Sequence, residues 1–123
     1  MFPLGKEIHI KHLTKLLQYT MKRAASTLEE VKKILKEHKA EVSRKYKVNE
    51  IGIFGSFVRG EQKKRSDIDI LVEFEPRNIP GLLKLIEMEI YLEKLLRKKV
   101  DVVIKSGIRP ELKKGILKEV VYI

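Results

Sequence analysis

The chain contains no cysteine and no tryptophan. Without cysteine, disulfides and thiolate metal sites are excluded, and thiol usage says nothing further about compartment. No run of eighteen apolar residues occurs, and the start lacks a compact apolar stretch followed by a small-residue cleavage site. A soluble, cytoplasmic protein with no membrane partner is therefore expected. Aromatic residues make up only 7%, and none interleave with the basic residues as base-stacking nucleic-acid surfaces require. There is no internal repeat and no low-complexity segment. At 123 residues the chain is large enough for one core and too short for a second, separate substrate domain.

Charge is abundant and lopsided, with a formal net charge of +10. Such a balance favours polyanionic ligands. Most of the positive residues are lysines scattered on helix faces, such as Lys32, Lys33, Lys36 and Lys39. Solvated faces are the favoured reading and a nucleic-acid surface the less favoured one. The run Lys63-Lys64-Arg65 stands apart, because it lies between the two parts of the motif described next and can draw in a nucleotide or an acidic partner.

That motif is Gly55-Ser56, ten residues, then Asp67-Ile68-Asp69. Four fixed positions of this kind would match by chance in on the order of one chain per few hundred of this length. Ile51-Gly52-Ile53-Phe54 reads as a short buried strand running into Gly55-Ser56. Asp67 to Phe74 reads as a second strand that begins with the two acids. Alternation then projects Asp67 and Asp69 to one side and Ile68, Ile70, Val72 and Phe74 to the other. Two carboxylates on one face repel unless a cation lies between them. A divalent, oxygen-preferring ion such as Mg²⁺ suits that position and readily shares its shell with phosphates. The bland alternative is a solvated strand end.

Asp101, in Val100-Asp101-Val102-Val103-Ile104, is a third acid, inside a β-branched run where Asp is unfavourable. It is either an edge-strand acid facing solvent or the completion of a three-carboxylate cluster. Such a cluster can hold two metal ions that clamp the attacking and leaving oxygens of a phosphoryl displacement. Gly55 permits a tight turn, and the N–H groups opening the next short helix, with the Ser56 hydroxyl, can hold nucleotide phosphates. A plain serine cap is the alternative. Arg59, one turn on, can reach a phosphate or simply pair with Glu61.

Coarse patterning fills in the rest. Residues 7–20 read as an amphipathic helix with Ile10, Leu13, Leu16 and Leu17 on one side. Ser26-x-x-Glu29 and Thr27-x-x-Glu30 offer capping boxes for a helix ending near Tyr46, with a stripe of Leu28, Val31, Leu35, His38 and Val42. Strands are expected at about 49–54, 67–75 and 100–104, a helix at about 80–97, and a last helix from near Pro110. The apolar residues of the 80–97 helix (Leu82, Leu85, Ile86, Ile90, Leu92, Leu95 and Leu96) cover more than one face, which suits either a partner surface or a broad core face. His9-x-x-His12 has metal-compatible spacing but no cluster to complete it, and His38 reads as a core or interface residue.

The stretch GSFVRGEQKKRSDIDILVEF resembles the core of the polymerase-β-type nucleotidyltransferase superfamily. Its spacer and Arg-Gly-Glu are similar to those of the minimal nucleotidyltransferases, the MntA-like antitoxins that act as protein adenylyltransferases. The resemblance covers about residues 22–123, through Val100-Asp101 to Pro110-Glu111-Leu112 and Val121-Tyr122. It implies an α/β (α+β) fold, a small mixed sheet backed by helices. It divides the chain into residues 1–20, a basic helix or upstream extension, and residues 21–123, the nucleotidyltransferase domain. It makes Asp67, Asp69 and Asp101 catalytic metal ligands for two Mg²⁺ ions, and Gly55 and Ser56 contacts to the ATP phosphates; Arg59 is added to the nucleotide-binding set by its position one turn on. The implied reaction moves AMP from ATP to a hydroxyl, with a tyrosine of a HEPN-domain toxin as acceptor, in a hetero-oligomeric toxin–antitoxin pair. With no substrate domain, the acceptor is expected to be small or to bring its own recognition surface. Two rivals remain: a small-molecule (aminoglycoside-like) nucleotidyltransferase, and a non-catalytic antitoxin that acts by binding alone.

Overall fold

The computed structural model describes residues 24–123. The amphipathic 7–20 segment, the His9-x-x-His12 pair and the boundary near residue 20 lie outside the described residues. The elements run α1 (Leu28–Tyr46), β1 (Val48–Phe54), α2 (Ser56–Arg59), β2 (Ile68–Phe74), α3 (Leu82–Leu96), β3 (Val100–Ile104), a 3₁₀ turn (Lys105–Gly107), α4 (Pro110–Glu119) and β4 (Val121–Tyr122). Expected and observed ends agree to within one or two residues, and the two-residue β4 is the one strand that patterning did not suggest.

Local chemistry sets the limits of these elements. Thr27 caps α1, its hydroxyl accepting the Glu30 N–H at 3.2 Å, while the Glu30 carboxylate accepts the Ser26 N–H at 3.1 Å. This is the reciprocal arrangement of a capping box, moved back by one residue on its return arm. Lys47 and Arg97 end α1 and α3 in the left-handed conformation, with φ of 59° and 53°, the geometry that stops a helix. Pro110 occupies the first turn of α4, where its missing N–H costs nothing.

The four strands form a mixed sheet in the order β3-β2-β1-β4. β1 pairs antiparallel with β2 and β4, and β2 pairs parallel with β3 through the α3 crossover. Alternation assigns Ile51, Ile53, Ile68, Ile70, Val72 and Phe74 to the core, where each is at most 4% exposed. Against that face pack Val31, Leu35, Val42 and Tyr46 of α1, and Met88, Leu92 and Leu96 of α3. Burying each such side chain stabilises the fold by roughly 1.5–3 kcal/mol. Gly52, on the opposite face, lets β4 dock, since a Cβ there would stand 2.5 Å from Val120 Cγ2.

The crowded apolar pattern of α3 divides. Leu92 and Leu96 enter the core and Leu85 and Leu95 pack on its margin. Leu82, Leu83, Ile86 and Ile90 stay 71%, 83%, 45% and 46% exposed. His38 is half-buried and donates Nδ1–H to the Ile34 carbonyl at 2.9 Å, so it belongs to the α1 margin. Among the described residues, no helix is long and apolar enough to cross a membrane.

Candidate active site

β1 delivers the chain to Gly55, whose φ of 80° and ψ of −153° fall in a region essentially open only to glycine. A Cβ at this position would lie 2.0 Å from Asp69 Oδ2. The turn and the acid are thus in direct contact, which the antiparallel register of Phe54 with Asp69 brings about. The carbonyl of Gly55 accepts the N–H groups of Val58 and Arg59 at 3.0 and 3.1 Å, closing the single turn of α2. The first N–H groups of any helix lack an intrahelical partner, and here these belong to half-buried Ser56 and to Phe57. The Phe57 ring, 2% exposed, anchors the turn in the core.

The acids gather at the same end of the sheet. Asp69 is the second residue of β2 and pairs in register with Asp101, the second residue of β3. Asp67 lies one residue before β2 rather than inside it. Asp67 and Asp101 are exposed and Asp69 is half-buried. Burial, and then the charges of Asp101 and Asp67, push the Asp69 carboxyl up to about 6 from an ordinary 3.8, with Arg59 pulling the other way and Glu119 adding to the rise. A carboxylate held above its usual range by burial and by two carboxylate neighbours is the electrostatic mark of a cation site. The donor set consists of hard oxygens only, which suits Mg²⁺. Among the described residues no three such side chains already converge on one point, so a cation would have to draw the acids together.

Arg59 finds carboxylates on both sides. Its Nε donates to Glu61 Oε1 at 2.8 Å, and its Nη1 donates to Glu119 Oε1 and Oε2 at 3.1 Å each. The hydrogen bonds to Glu61 and then to Glu119 raise its pKa further. The Glu61 partner was one of the two readings open in the sequence. Glu119 was not singled out there. It ends α4 and also accepts the Gly55 N–H at 2.7 Å. A signal was present: an acid in the last turn of a helix opposes the macrodipole, and such a placement asks for a tertiary partner.

Beside Asp67, residues Lys64, Arg65, Ser66, Lys98 and Lys99 line an open cleft of about 390 Å³. Lys98 steadies its wall by donating to the Lys64 carbonyl at 2.8 Å. Of the basic run noted in the sequence, Lys64 and Arg65 therefore face the acid end of the sheet.

The fold has counterparts among known proteins. Residues 35–123 match the nucleotidyltransferase domain family. The protein adenylyltransferase MntA of Thermococcus cleftensis is 54% identical over 100 residues, covering 81% of this chain and 99% of the relative. A solved structure described as a candidate minimal nucleotidyltransferase superposes with a TM-score of 0.66 at 31% identity, over 78% of this chain and 95% of that one. Two toxin–antitoxin crystal structures share the fold. One holds AMP-PNP, with a TM-score of 0.59 at 24% identity over 71% and 70% of the two chains. The other is MntA-HepT, with a TM-score of 0.52 at 22% identity over 75% and 67%.

Proposed function

Because the chain belongs to the nucleotidyltransferase domain family, we propose that it is a protein adenylyltransferase that moves AMP from ATP onto a tyrosine hydroxyl of a HEPN-type toxin, acting as antitoxin of the pair in the cytoplasm. The observation that carries this is the contact between Gly55 and Asp69. It fuses a phosphate-binding turn and an acid cluster into one unit, so that a nucleotide seated on the turn has its α-phosphorus over the carboxylates. A binding-only antitoxin has no use for that juxtaposition.

Ser56, through its N–H and hydroxyl, and the Phe57 N–H donate to the β- and γ-phosphates and fix the triphosphate. This holds the α-phosphorus in line with the incoming oxygen. Asp67, Asp69 and Asp101 would hold two Mg²⁺ ions, which when bound neutralise the triphosphate and lower the pKa of the attacking hydroxyl. Asp101, exposed on the edge strand β3, accepts the proton of that hydroxyl. The acceptor oxygen bonds to the α-phosphorus as the bond to pyrophosphate breaks, leaving AMP on the acceptor. The exposed face of α3, with Leu82, Leu83 and Ile86, serves the partner, because apolar area of this kind on a small domain marks an interaction surface.

The test is transfer of radiolabelled AMP from ATP to the cognate HEPN-type protein in the presence of Mg²⁺, with Asp67→Asn and Asp69→Asn as controls. Label on a toxin tyrosine, lost in both variants, is the expected result. Label on aminoglycosides instead would transfer the reading to the small-molecule enzymes. Neutralisation of the toxin by both variants would leave a binding-only antitoxin.

A further inference from the structure

We propose that Glu119 is a positioning residue for the nucleotide: a carboxylate from the far end of the chain that shapes the phosphate turn without touching the reacting atoms. The proposal rests on the nucleotide reading of Gly55-Ser56 given above. Glu119 makes three hydrogen bonds, one accepted from the Gly55 N–H at 2.7 Å and two accepted from Arg59 Nη1 at 3.1 Å. It thereby ties the residue that opens the turn to the residue that ends α2.

The turn has a specific need for this partner. Gly55 is buried, its conformation is accessible only to glycine, and its N–H has the Glu119 carboxylate as acceptor. A buried N–H left without an acceptor costs about 1–3 kcal/mol. Glu119 supplies a charged acceptor and so holds the Gly55 backbone in the conformation that frees the Ser56 and Phe57 N–H groups. Both of its oxygens also accept from Arg59 Nη1, which fixes the guanidinium beside the turn. Without it, the guanidinium would be held by Glu61 alone, pointing along the loop.

Glu119 can do this because its own backbone is anchored independently. The residues after it pair with β1, with Gly52 opposite Tyr122 and Ile53 opposite Val121. Beyond them, the Ile123 N–H donates to the Ile51 carbonyl at 3.0 Å. The C-terminal β4 therefore clamps the end of α4 against the strand that delivers Gly55. This gives the short β4 and the clearance at Gly52 a role in the site.

Titration of Mg²⁺ and a non-hydrolysable ATP analogue into the full chain tests the idea, using Glu119→Ala, Glu119→Gln and Arg59→Gln. Losing a charge-assisted hydrogen bond corresponds to a roughly ten- to hundredfold weaker affinity. Glu119→Ala should show that loss. Glu119→Gln, which keeps an oxygen for the Gly55 N–H, should recover part of it while melting within a few degrees of wild type. The effect of Glu119→Gln should shrink in the Arg59→Gln background, because the two residues act as a unit. In transfer assays the loss should fall on KM for ATP and spare kcat. Unchanged affinity in Glu119→Ala overturns the proposal. So does tighter binding, which would make Glu119 a competitor of the phosphates. If Glu119→Ala fails to fold, Glu119→Gln decides by the same criteria. If wild type itself binds no nucleotide, the nucleotide reading fails first and the positioning role goes with it.

Discussion

Replacing Asp69 by Asn should stabilise the metal-free protein, although it removes a residue at the centre of the proposed site. Asn has the same shape, so it fits beside Gly55 where nothing larger would. What it lacks is the charge that Asp101, Asp67 and partial burial make costly. The carboxyl sits at about 6 against an ordinary 3.8, two decades of proton affinity and therefore about 3 kcal/mol at most. Asp69 is half-buried rather than buried, and solvent at its outer edge screens part of this, so the working figure is about 2 kcal/mol. An acid with a raised folded-state pKa gives stability that is fully present below its unfolded value and lost as pH rises through the folded one. The advantage of Asn should accordingly be small at pH 4, about half developed at pH 5 and complete above pH 7. For a domain of this size, about 2 kcal/mol corresponds to a rise of roughly 5–10 °C in melting temperature. Thermal melts in EDTA at pH 4, 5 and 7.5 measure it. Adding Mg²⁺ with ATP should reverse the order, since only the wild-type acid gains from the cation. A variant that melts at or below wild type in EDTA at pH 7.5, or whose advantage grows toward low pH, would refute the electrostatic account of the site.

Gly55→Ala should cost about 2–4 kcal/mol and abolish ATP binding, because it combines a glycine-only backbone with a Cβ 2.0 Å from Asp69 Oδ2; chemical denaturation and nucleotide titration read both effects. Asp101→Asn should block AMP transfer at least a hundredfold while sparing the complex with the toxin, and retained labelling would remove Asp101 from the chemistry. Leu83→Glu with Ile86→Glu, both on exposed positions of α3, should break that complex and leave ATP affinity unchanged, as size-exclusion and titration would show. Deleting residues 1–20 should preserve the fold and the transfer, since α1 carries its own cap at Thr27; an insoluble product would place that segment in the core.

Much of this was legible in local chemistry. The alternation from Ile68 to Phe74 fixed which face is core. The Thr27 cap, Pro110 and the glycine after β1 marked where elements begin and end, because helix ends and positive-φ turns depend on a few neighbouring residues. For Asp101 the β-branched run left two readings open, an edge-strand acid facing solvent and a member of an acid cluster; the β2–β3 register sets it beside Asp69 on the exposed edge strand.

What depended on distant parts of the chain was not legible. Patterning did not detect β4, because two residues carry no periodicity and exist as a strand only through pairing with β1. Met88 was passed over for its isoleucine and leucine neighbours, yet it is fully buried while Leu82, counted in the apolar pattern, is 71% exposed. Which side of a helix is covered depends on the sheet beneath it, not on composition. The sequence by itself determined the residue types of the turn and the acids, their order, and the core face of the strand that follows them, because those properties are periodic or local. Only the tertiary structure decided that Gly55 lies against Asp69 and that Glu119, sixty-four positions away, completes the turn, because such contacts arise from strand register and chain closure.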